Sequence, residues 1–185
     1  KPEPYDKVEE TLSHEYKKSL HEVFSHFNKN PIASASISQV YEAKLKNGDR
    51  VAVKVLRPGV REKFEKDVDI MFYLAGLIEK YIPTSKRYSP TNIVLEFAKW
   101  TIKEIDFRNE AKNARRFKRN FQNSKIVYIP RVYDEFTTKK VLVEEFIDGI
   151  EMHDYFKSKR KKQEVIKIIN RGLDAALTQV FVNGF

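Results

Sequence analysis

The residue of this sequence with the clearest potential for chemistry is Lys54, which lies in a short apolar run at 51–55. The run reads Val-Ala-Val-Lys-Val and predicts a β-strand. Because side chains alternate along a strand, Lys54 shares one face with Ala52 and the three valines point to the other face. A lysine in the middle of such a strand suits the binding of a phosphate or a carboxylate. The alternative is a surface lysine on an ordinary hairpin.

Three acidic residues, Glu104, Asp106 and Glu110, lie within seven residues of a predicted helix. Asp106 and Glu110 are four residues apart, so on a continuous helix they share a face and repel each other unless a cation lies nearby. Lys54, or a metal ion carried by a nucleotide, would supply that cation. A solvent-exposed helix face is the alternative, because Glu104 and Arg108 have the spacing of an i, i+4 ion pair.

Before the lysine strand, the sequence has a run of four small side chains: Ala33, Ser34, Ala35 and Ser36. Small side chains let a backbone approach a ligand closely, and the two serine hydroxyls can donate hydrogen bonds. No glycine occurs between Pro31 and Gly48, and alanine and serine reach positive φ less readily than glycine. We therefore expect this loop to cover phosphates differently from a glycine-rich loop. Residues 37–44 and 51–55 predict two strands joined by a turn at Asn47-Gly48.

The elements that position these side chains follow from the spacing of the apolar residues. One or two helices are predicted over residues 5–27, and single helices over 60–82, 91–121, 151–157 and 164–182. Two further strands are predicted, over 131–136 and 141–146, and the basic run at 157–162 predicts a loop.

The composition is typical of a folded domain with an anionic partner. The 185 residues are 41% hydrophobic and carry a net charge of +9. The absence of cysteine excludes disulfides and thiol catalysis, and no metal-ligand spacing occurs among the histidines, His14, His21, His26 and His153. Nucleic-acid binding would rest on charge alone and is disfavoured. No apolar run approaches the roughly 20 residues of a membrane-spanning helix, and the acidic first ten residues do not resemble a signal peptide.

Three motifs together resemble the UbiB (also called ADCK) family of atypical kinase-like proteins. In that family an alanine-rich loop replaces the glycine-rich loop of protein kinases and precedes a VAVK-type strand. The run EIDFRNEAKN at 104–113 resembles the family's ExD motif followed by EAxN. The helix predicted between the lysine strand and the acidic helix is a further likeness. The run IPRVYDEFTTKKVLVEEFIDG at 129–149 resembles the family's fourth strand, fifth strand and hinge.

The resemblance implies a nucleotide site. Lys54 would hold the phosphates and pair with Glu110, with Glu104 as the second candidate. Glu104 and Asp106 would be the ExD acids, and Glu144 would control access to the space behind the adenine. The implied nucleotide contacts are Ala33, Ser34, Ala35, Ser36, Val40, Ala52, Lys54 and the hinge residues Glu145, Phe146 and Ile147. No residue of this chain is implied as a metal ligand.

The resemblance also implies a function. The parent protein would bind ATP or ADP with Mg²⁺ and act as an atypical kinase or ATPase that supports ubiquinone (coenzyme Q) biosynthesis. Its setting would be the cytoplasmic face of a bacterial membrane or a mitochondrion, with an anionic membrane surface or coenzyme Q biosynthesis proteins as partners. The family's KxGQ motif, HADPHPGN-type catalytic loop and DFG-like metal site do not occur in the sequence, so we expect no turnover by this chain alone. The alternative is a kinase-like module that serves as a platform for a partner or a membrane surface.

The expected fold class is α+β, a protein-kinase-like N-lobe with a small antiparallel sheet and extra helices, plus the first helices of a C-lobe. The expected division is a helical extension at 1–30, the N-lobe at 31–147 and the truncated start of a C-lobe at 148–185. Within the N-lobe, 60–82 would be an inserted helix and 91–121 the αC-like helix.

Overall fold

The structure, a computed structural model, describes residues 3–157, 162–182 and 184. Its strands are β1 (Phe24–Phe27), β2 (Ala33–Ser34), β3 (Ser38–Leu45), β4 (Arg50–Leu56) and β5 (Val141–Glu145). Its α-helices are α1 (Tyr5–Tyr16), α2 (Leu20–Val23), α3 (Val60–Tyr81), α4 (Pro90–Glu104), α5 (Phe107–Asn120), α6 (Met152–Lys157) and α7 (Lys162–Leu177). Two 3₁₀-helices, Pro83–Tyr88 and Asp134–Phe136, and a π-helical turn at Thr178–Val182 complete the elements. The predicted α+β class is confirmed.

The sheet is antiparallel, with the strand order β1-β3-β4-β5 and with β2 paired to β3. The predicted hairpin between β3 and β4 forms. Gly48 has φ 94°, a conformation that glycine adopts without strain, and its N–H donates to the Leu45 carbonyl at 3.0 Å. The register sets Lys54 beside Val40 on one side and Leu142 on the other.

One face of the sheet carries the larger hydrophobic core. The apolar residues of β3, β4 and β5 that point to this face are buried and pack against α1, α2 and β1. They include Tyr41, Val51, Val53, Val141 and Val143, and the helices contribute Val8, Leu12, Leu20 and Val23.

The opposite face carries a smaller core in which α5 rests on the sheet. Phe107 and Ala111 of α5 are buried against Leu56 and Leu142, together with Ile105. This contact brings the first turn of α5 over the middle of β4, where Lys54 lies.

The helices α3 and α4 form a pair beside the sheet. Val68, Ala75, Val94 and Ala98 are their buried residues, and the hydroxyl of Thr91 donates to Glu79 at 2.8 Å. Many large apolar side chains of the two helices remain exposed, among them Tyr73, Leu74, Ile93, Phe97 and Trp100. Across the described residues, no helix has the length and apolar character needed to cross a membrane.

The prediction of one or two helices over 5–27 is wrong only in its last part, since α1 and α2 form but residues Phe24–Phe27 are a strand. Lys17 ends α1 in a left-handed conformation with φ 51°, and Ser19 with Glu22 caps a separate short helix. Residues Phe24–Phe27 then form β1, because their backbone pairs with β3 and the rings of Phe24 and Phe27 pack edge-to-face in the core. The sheet therefore begins inside the segment that was predicted as a helical extension.

Two other predicted elements are also wrong. The single helix predicted over 91–121 is two helices, since Asp106 has an extended backbone (φ −114°, ψ 98°) and caps α5. The strand predicted over 131–136 is reduced to one bridge between Val132 and Glu144, followed by a 3₁₀-turn. Residues 158–161 of the basic run lie outside the described residues.

Tyr41 offers a test of the main core. Its ring is fully buried, and within the described part of the chain its hydroxyl has no hydrogen-bond partner. Tyr41→Ala should lower the free energy of unfolding by about 3 to 5 kcal/mol because it empties the core. Tyr41→Phe should change it by no more than about 1 kcal/mol, because only an unpaired hydroxyl is lost. Urea denaturation checks both values, and a large loss in Tyr41→Phe would contradict this packing.

Candidate functional site

The centre of the site is an ion pair between β4 and α5. The Lys54 ammonium lies 2.8 Å from each carboxylate oxygen of Glu110, and it lies 5.0 Å from the centroid of the Phe107 ring. The Lys54 side chain is 28% exposed and that of Glu110 is 44% exposed. The contact expected between Lys54 and Glu110 is therefore present, and Glu104, the second candidate, does not make it.

The start of α5 is fixed by three contacts that hold Glu110 in place. The Asp106 carboxylate accepts the backbone N–H of Arg108 at 3.1 Å and so caps the helix. The Phe107 N–H donates to the carbonyl of Lys139 at 3.0 Å. The Phe107 ring is 1% exposed, so it anchors the first turn on the sheet.

Neither of the two remaining acids of the motif, Glu104 and Asp106, forms an ion pair with Lys54. Asp106 accepts from the Arg108 guanidinium at 2.9 and 2.6 Å, and this contact lowers the pKa of Asp106. Because Asp106 precedes α5, it shares no helix face with Glu110. The ion pair that the spacing of Glu104 and Arg108 would allow in the alternative interpretation does not form, since Glu104 ends α4 and Arg108 pairs with Asp106.

Glu144 lies on the same face of the sheet as the ion pair. It is directly opposite Ala52 in the register of β4 and β5. Burial raises the pKa of Glu144, the negative charge of Glu110 raises it further, and the positive charge of Lys54 lowers it. The site thus contains one ammonium group and two carboxylates, of which Glu110 is exposed and Glu144 is partly buried.

The run of small residues forms a tight hairpin. Ala33 and Ser34 form β2, opposite Val40 and Gln39, and the Ala35 N–H donates to the Ser38 carbonyl at 2.8 Å. The four residues Ala33, Ser34, Ala35 and Ser36 are all exposed, and none has positive φ. Ala33, Val40 and Lys54 lie side by side across three strands, which puts the hairpin next to the ion pair.

The segment predicted as the hinge is largely occupied by contacts within the chain. The Glu145 N–H donates to the Arg131 carbonyl at 2.8 Å, and the Phe146 N–H donates to the Arg50 carbonyl at 3.1 Å. Considering only described residues, the Ile147 N–H makes no hydrogen bond, so it is the hinge amide that remains available to a ligand.

Several residues that shape the site were missed in the sequence. The Arg57 guanidinium donates to the Ser34 hydroxyl at 2.8 Å and so holds the small-residue hairpin. The Arg50 guanidinium stacks on the Phe146 ring at 4.5 Å and contacts Asp148 at 3.2 Å. The only available signal was position, because both arginines flank the lysine strand.

The chemistry available to this arrangement is the binding of an anion. A fixed ammonium group beside an exposed hairpin of small side chains can contact a phosphate that the hairpin covers. Within the described ranges, no group of three or more His, Asp or Glu side chains is placed to hold a metal ion.

Asp106 caps α5, whereas Glu104 is an exposed residue at the end of α4, and this difference gives a prediction. Asp106→Ala should lower the free energy of unfolding by about 1 kcal/mol, because it removes the cap of α5. Glu104→Ala is the matched control and should change it by less than about 0.5 kcal/mol, because Glu104 is exposed. Thermal and urea unfolding of the two variants measure these changes. Equal losses of unfolding free energy would contradict the role of Asp106 as the cap of α5.

The sequence of this chain matches the ABC1 atypical kinase-like domain over residues 1–185. It is 39% identical over 164 residues to the probable protein kinase UbiB of Marinobacter nauticus, covering 89% of this chain and 30% of that protein. It is 36% identical over 185 residues to the probable protein kinase UbiB of Vibrio cholerae, covering 98% of this chain and 34% of that protein. The chain thus spans about a third of the length of these curated relatives.

The fold has a similar solved structure, described as the complex structure of Rv3197-erythromycin from Mycobacterium tuberculosis. The TM-score is 0.75 and the identity is 30%, with 88% of this chain and 40% of that chain covered. The resemblance to UbiB proteins and the kinase-like nature of the fold are confirmed by these matches. The chain therefore belongs to the ABC1 atypical kinase-like family.

Proposed function

We propose that this chain is the nucleotide-binding portion of a UbiB-type atypical kinase or ATPase. The observation that carries the proposal is the ion pair of Lys54 and Glu110, set beside the exposed hairpin of small residues. A lysine held by a helix carboxylate under a phosphate-covering loop is the arrangement that kinases use to position ATP.

Each residue of the proposed site has a distinct task. Lys54 contacts the phosphates, and Glu110 keeps the ammonium group in one position so that little ordering is needed when the nucleotide binds. Val40 and Ala52, on the same face of the sheet, give the adenine an apolar surface. The Ile147 backbone is the donor proposed for the adenine edge, while Ala35 and Ser36 lie at the tip of the covering hairpin.

Magnesium is part of this proposal only as an ion that arrives with the nucleotide. The described residues do not fit a magnesium site, because they contain no cluster of carboxylates aimed at one point. When bound, the ion would neutralise phosphate charge. No step of the proposed mechanism is assigned to it.

For the whole protein we propose the role that the name of its relatives suggests. The two relatives described above are probable protein kinases named UbiB. We therefore propose that the complete protein supports ubiquinone (coenzyme Q) biosynthesis at the cytoplasmic face of a bacterial membrane or in a mitochondrion. Coenzyme Q biosynthesis proteins are its proposed partners.

A second candidate function is a platform for a partner or a membrane surface. The observation that favours it is the apolar surface of α3 and α4, on which Tyr73, Ile93 and Trp100 are each at least 60% exposed. A platform would bind anionic vesicles with the same affinity whether or not nucleotide is present.

Lys54 is the residue on which the nucleotide proposal depends. ADP and ATP with Mg²⁺ should bind the chain, and Lys54→Ala should weaken binding about 10- to 100-fold through the loss of a charged hydrogen bond. Isothermal titration calorimetry measures both affinities. Lys46→Ala is the matched control, because Lys46 is an exposed lysine in the β3–β4 turn.

Two outcomes would contradict the nucleotide proposal. Equal nucleotide affinities for the chain and for Lys54→Ala would show that Lys54 does not contact the phosphates. No binding by a chain that circular dichroism shows to be folded would favour the platform for these residues.

A further inference from the structure

Glu144 carries a carboxylate on the face of the sheet that holds the candidate site. Across the ranges that the structure describes, this carboxylate accepts no hydrogen bond and has no cationic group within salt-bridge distance. The side chain is partly buried, and burial raises its pKa. A partly buried carboxylate without a hydrogen-bond donor is costly, because it has lost part of its hydration and gained no replacement. A ligand that donates a hydrogen bond to Glu144 would remove this cost.

The register of the sheet places Glu144 beside the surface proposed for the base of the nucleotide. Glu144 is directly opposite Ala52, so their Cβ atoms are about 5 Å apart. Ala52 and Val40 are partly exposed on the same face, and Lys54 lies two residues further along β4. A base that rests on Val40 and Ala52, with its phosphates at Lys54, therefore presents one edge to Glu144.

Two polar groups at this end of β5 are complementary to one type of base edge. An ionised carboxylate such as that of Glu144 only accepts hydrogen bonds. The Ile147 N–H, which has no partner among the described residues, only donates. The two groups together match a base that presents an amino group next to a ring nitrogen with a free lone pair. Adenine has this pattern at its 6-amino group and N1, whereas guanine presents the reverse pattern of donor and acceptor there.

We propose that Glu144 is a specificity-determining residue of the site, which selects 6-aminopurine nucleotides by accepting a hydrogen bond from the 6-amino group. This inference rests on the nucleotide proposal above. It adds a residue that distinguishes nucleotides with identical phosphates, which Lys54 and the hairpin of small residues cannot do. A site that hydrogen-bonds one polar group of its ligand rejects an analogue without that group, because the site's own polar group is then left without a partner.

The 6-amino group is tested by comparing ADP with purine riboside 5′-diphosphate, which lacks only that group. Isothermal titration calorimetry should show that ADP binds about tenfold or more tightly, through a hydrogen bond to a charged acceptor. In Glu144→Met the two affinities should lie within about threefold of each other, mainly because ADP binds more weakly. Glu144→Gln should show an intermediate ratio, because its amide oxygen is a neutral acceptor.

Glu42→Gln is the matched control. Glu42 is directly opposite Ala52 on β3, on the other side from Glu144, and its carboxylate contacts the Arg50 guanidinium at 2.7 Å. This variant should keep the affinity ratio of the unaltered chain within about threefold. Urea unfolding should show that Glu144→Met is no less stable than the unaltered chain, because the substitution removes a carboxylate that lacks a partner. A weaker ADP affinity in that variant is then not a result of misfolding.

The outcomes separate this inference from the nucleotide proposal. Equal affinities of the unaltered chain for the two nucleotides, or an unchanged ratio in Glu144→Met, would overturn the inference and leave the nucleotide proposal standing. An equal fall of the ratio in Glu42→Gln would also overturn it. Lys54→Ala should weaken both nucleotides by the same factor, since it acts on the phosphates. If neither nucleotide binds to the folded chain, the nucleotide proposal and this inference are both wrong.

Discussion

The positive charge of Lys54 lies at a partly buried strand position, where it needs a negatively charged partner. The position of α5, which carries that partner, depends on this requirement. Lys54 is placed there by the alternation of β4, which leaves its ammonium group only partly accessible to water. Without a partner such a group would be costly, and Glu110 supplies the partner at 2.8 Å. The ion pair in turn requires that α5 lie at one height above the sheet, which the Asp106 cap and the buried Phe107 ring ensure.

The main hydrophobic core and the candidate site lie on opposite faces of the sheet. Tyr41 and the valines of the main core point to the face covered by α1, where the buried side chains form one cluster. Val40, Ala52, Lys54 and Glu144 point to the other face, where α5 covers only part of the surface. Changes in the site are thus separated from the larger core by the sheet itself. Because the ion pair is partly exposed, α5 depends for its stability mainly on Phe107 and Ala111.

The features that the sequence predicts are those governed by local rules. Alternation gave the direction of the Lys54 side chain, and the Asn47-Gly48 turn gave the hairpin. The features that it does not predict depend on residues far apart in the chain. Phe24 and Phe27 have helical spacing with earlier apolar residues. They form a strand because their backbone hydrogen-bonds to the edge of β3. The break at Asp106 was missed because it depends on Phe107 being anchored in the sheet, and the contact of Arg57 with Ser34 spans 23 residues.

The most direct test of the central claim is a double-mutant cycle on Lys54 and Glu110, followed through ADP affinity and urea unfolding. If Glu110 acts by holding Lys54, then Glu110→Ala should weaken ADP binding in the unaltered chain and have no further effect in Lys54→Ala. The coupling in unfolding free energy should be about 0.5 to 1 kcal/mol, as for a partly exposed ion pair. Independent, additive effects of the two substitutions on ADP affinity would contradict the account.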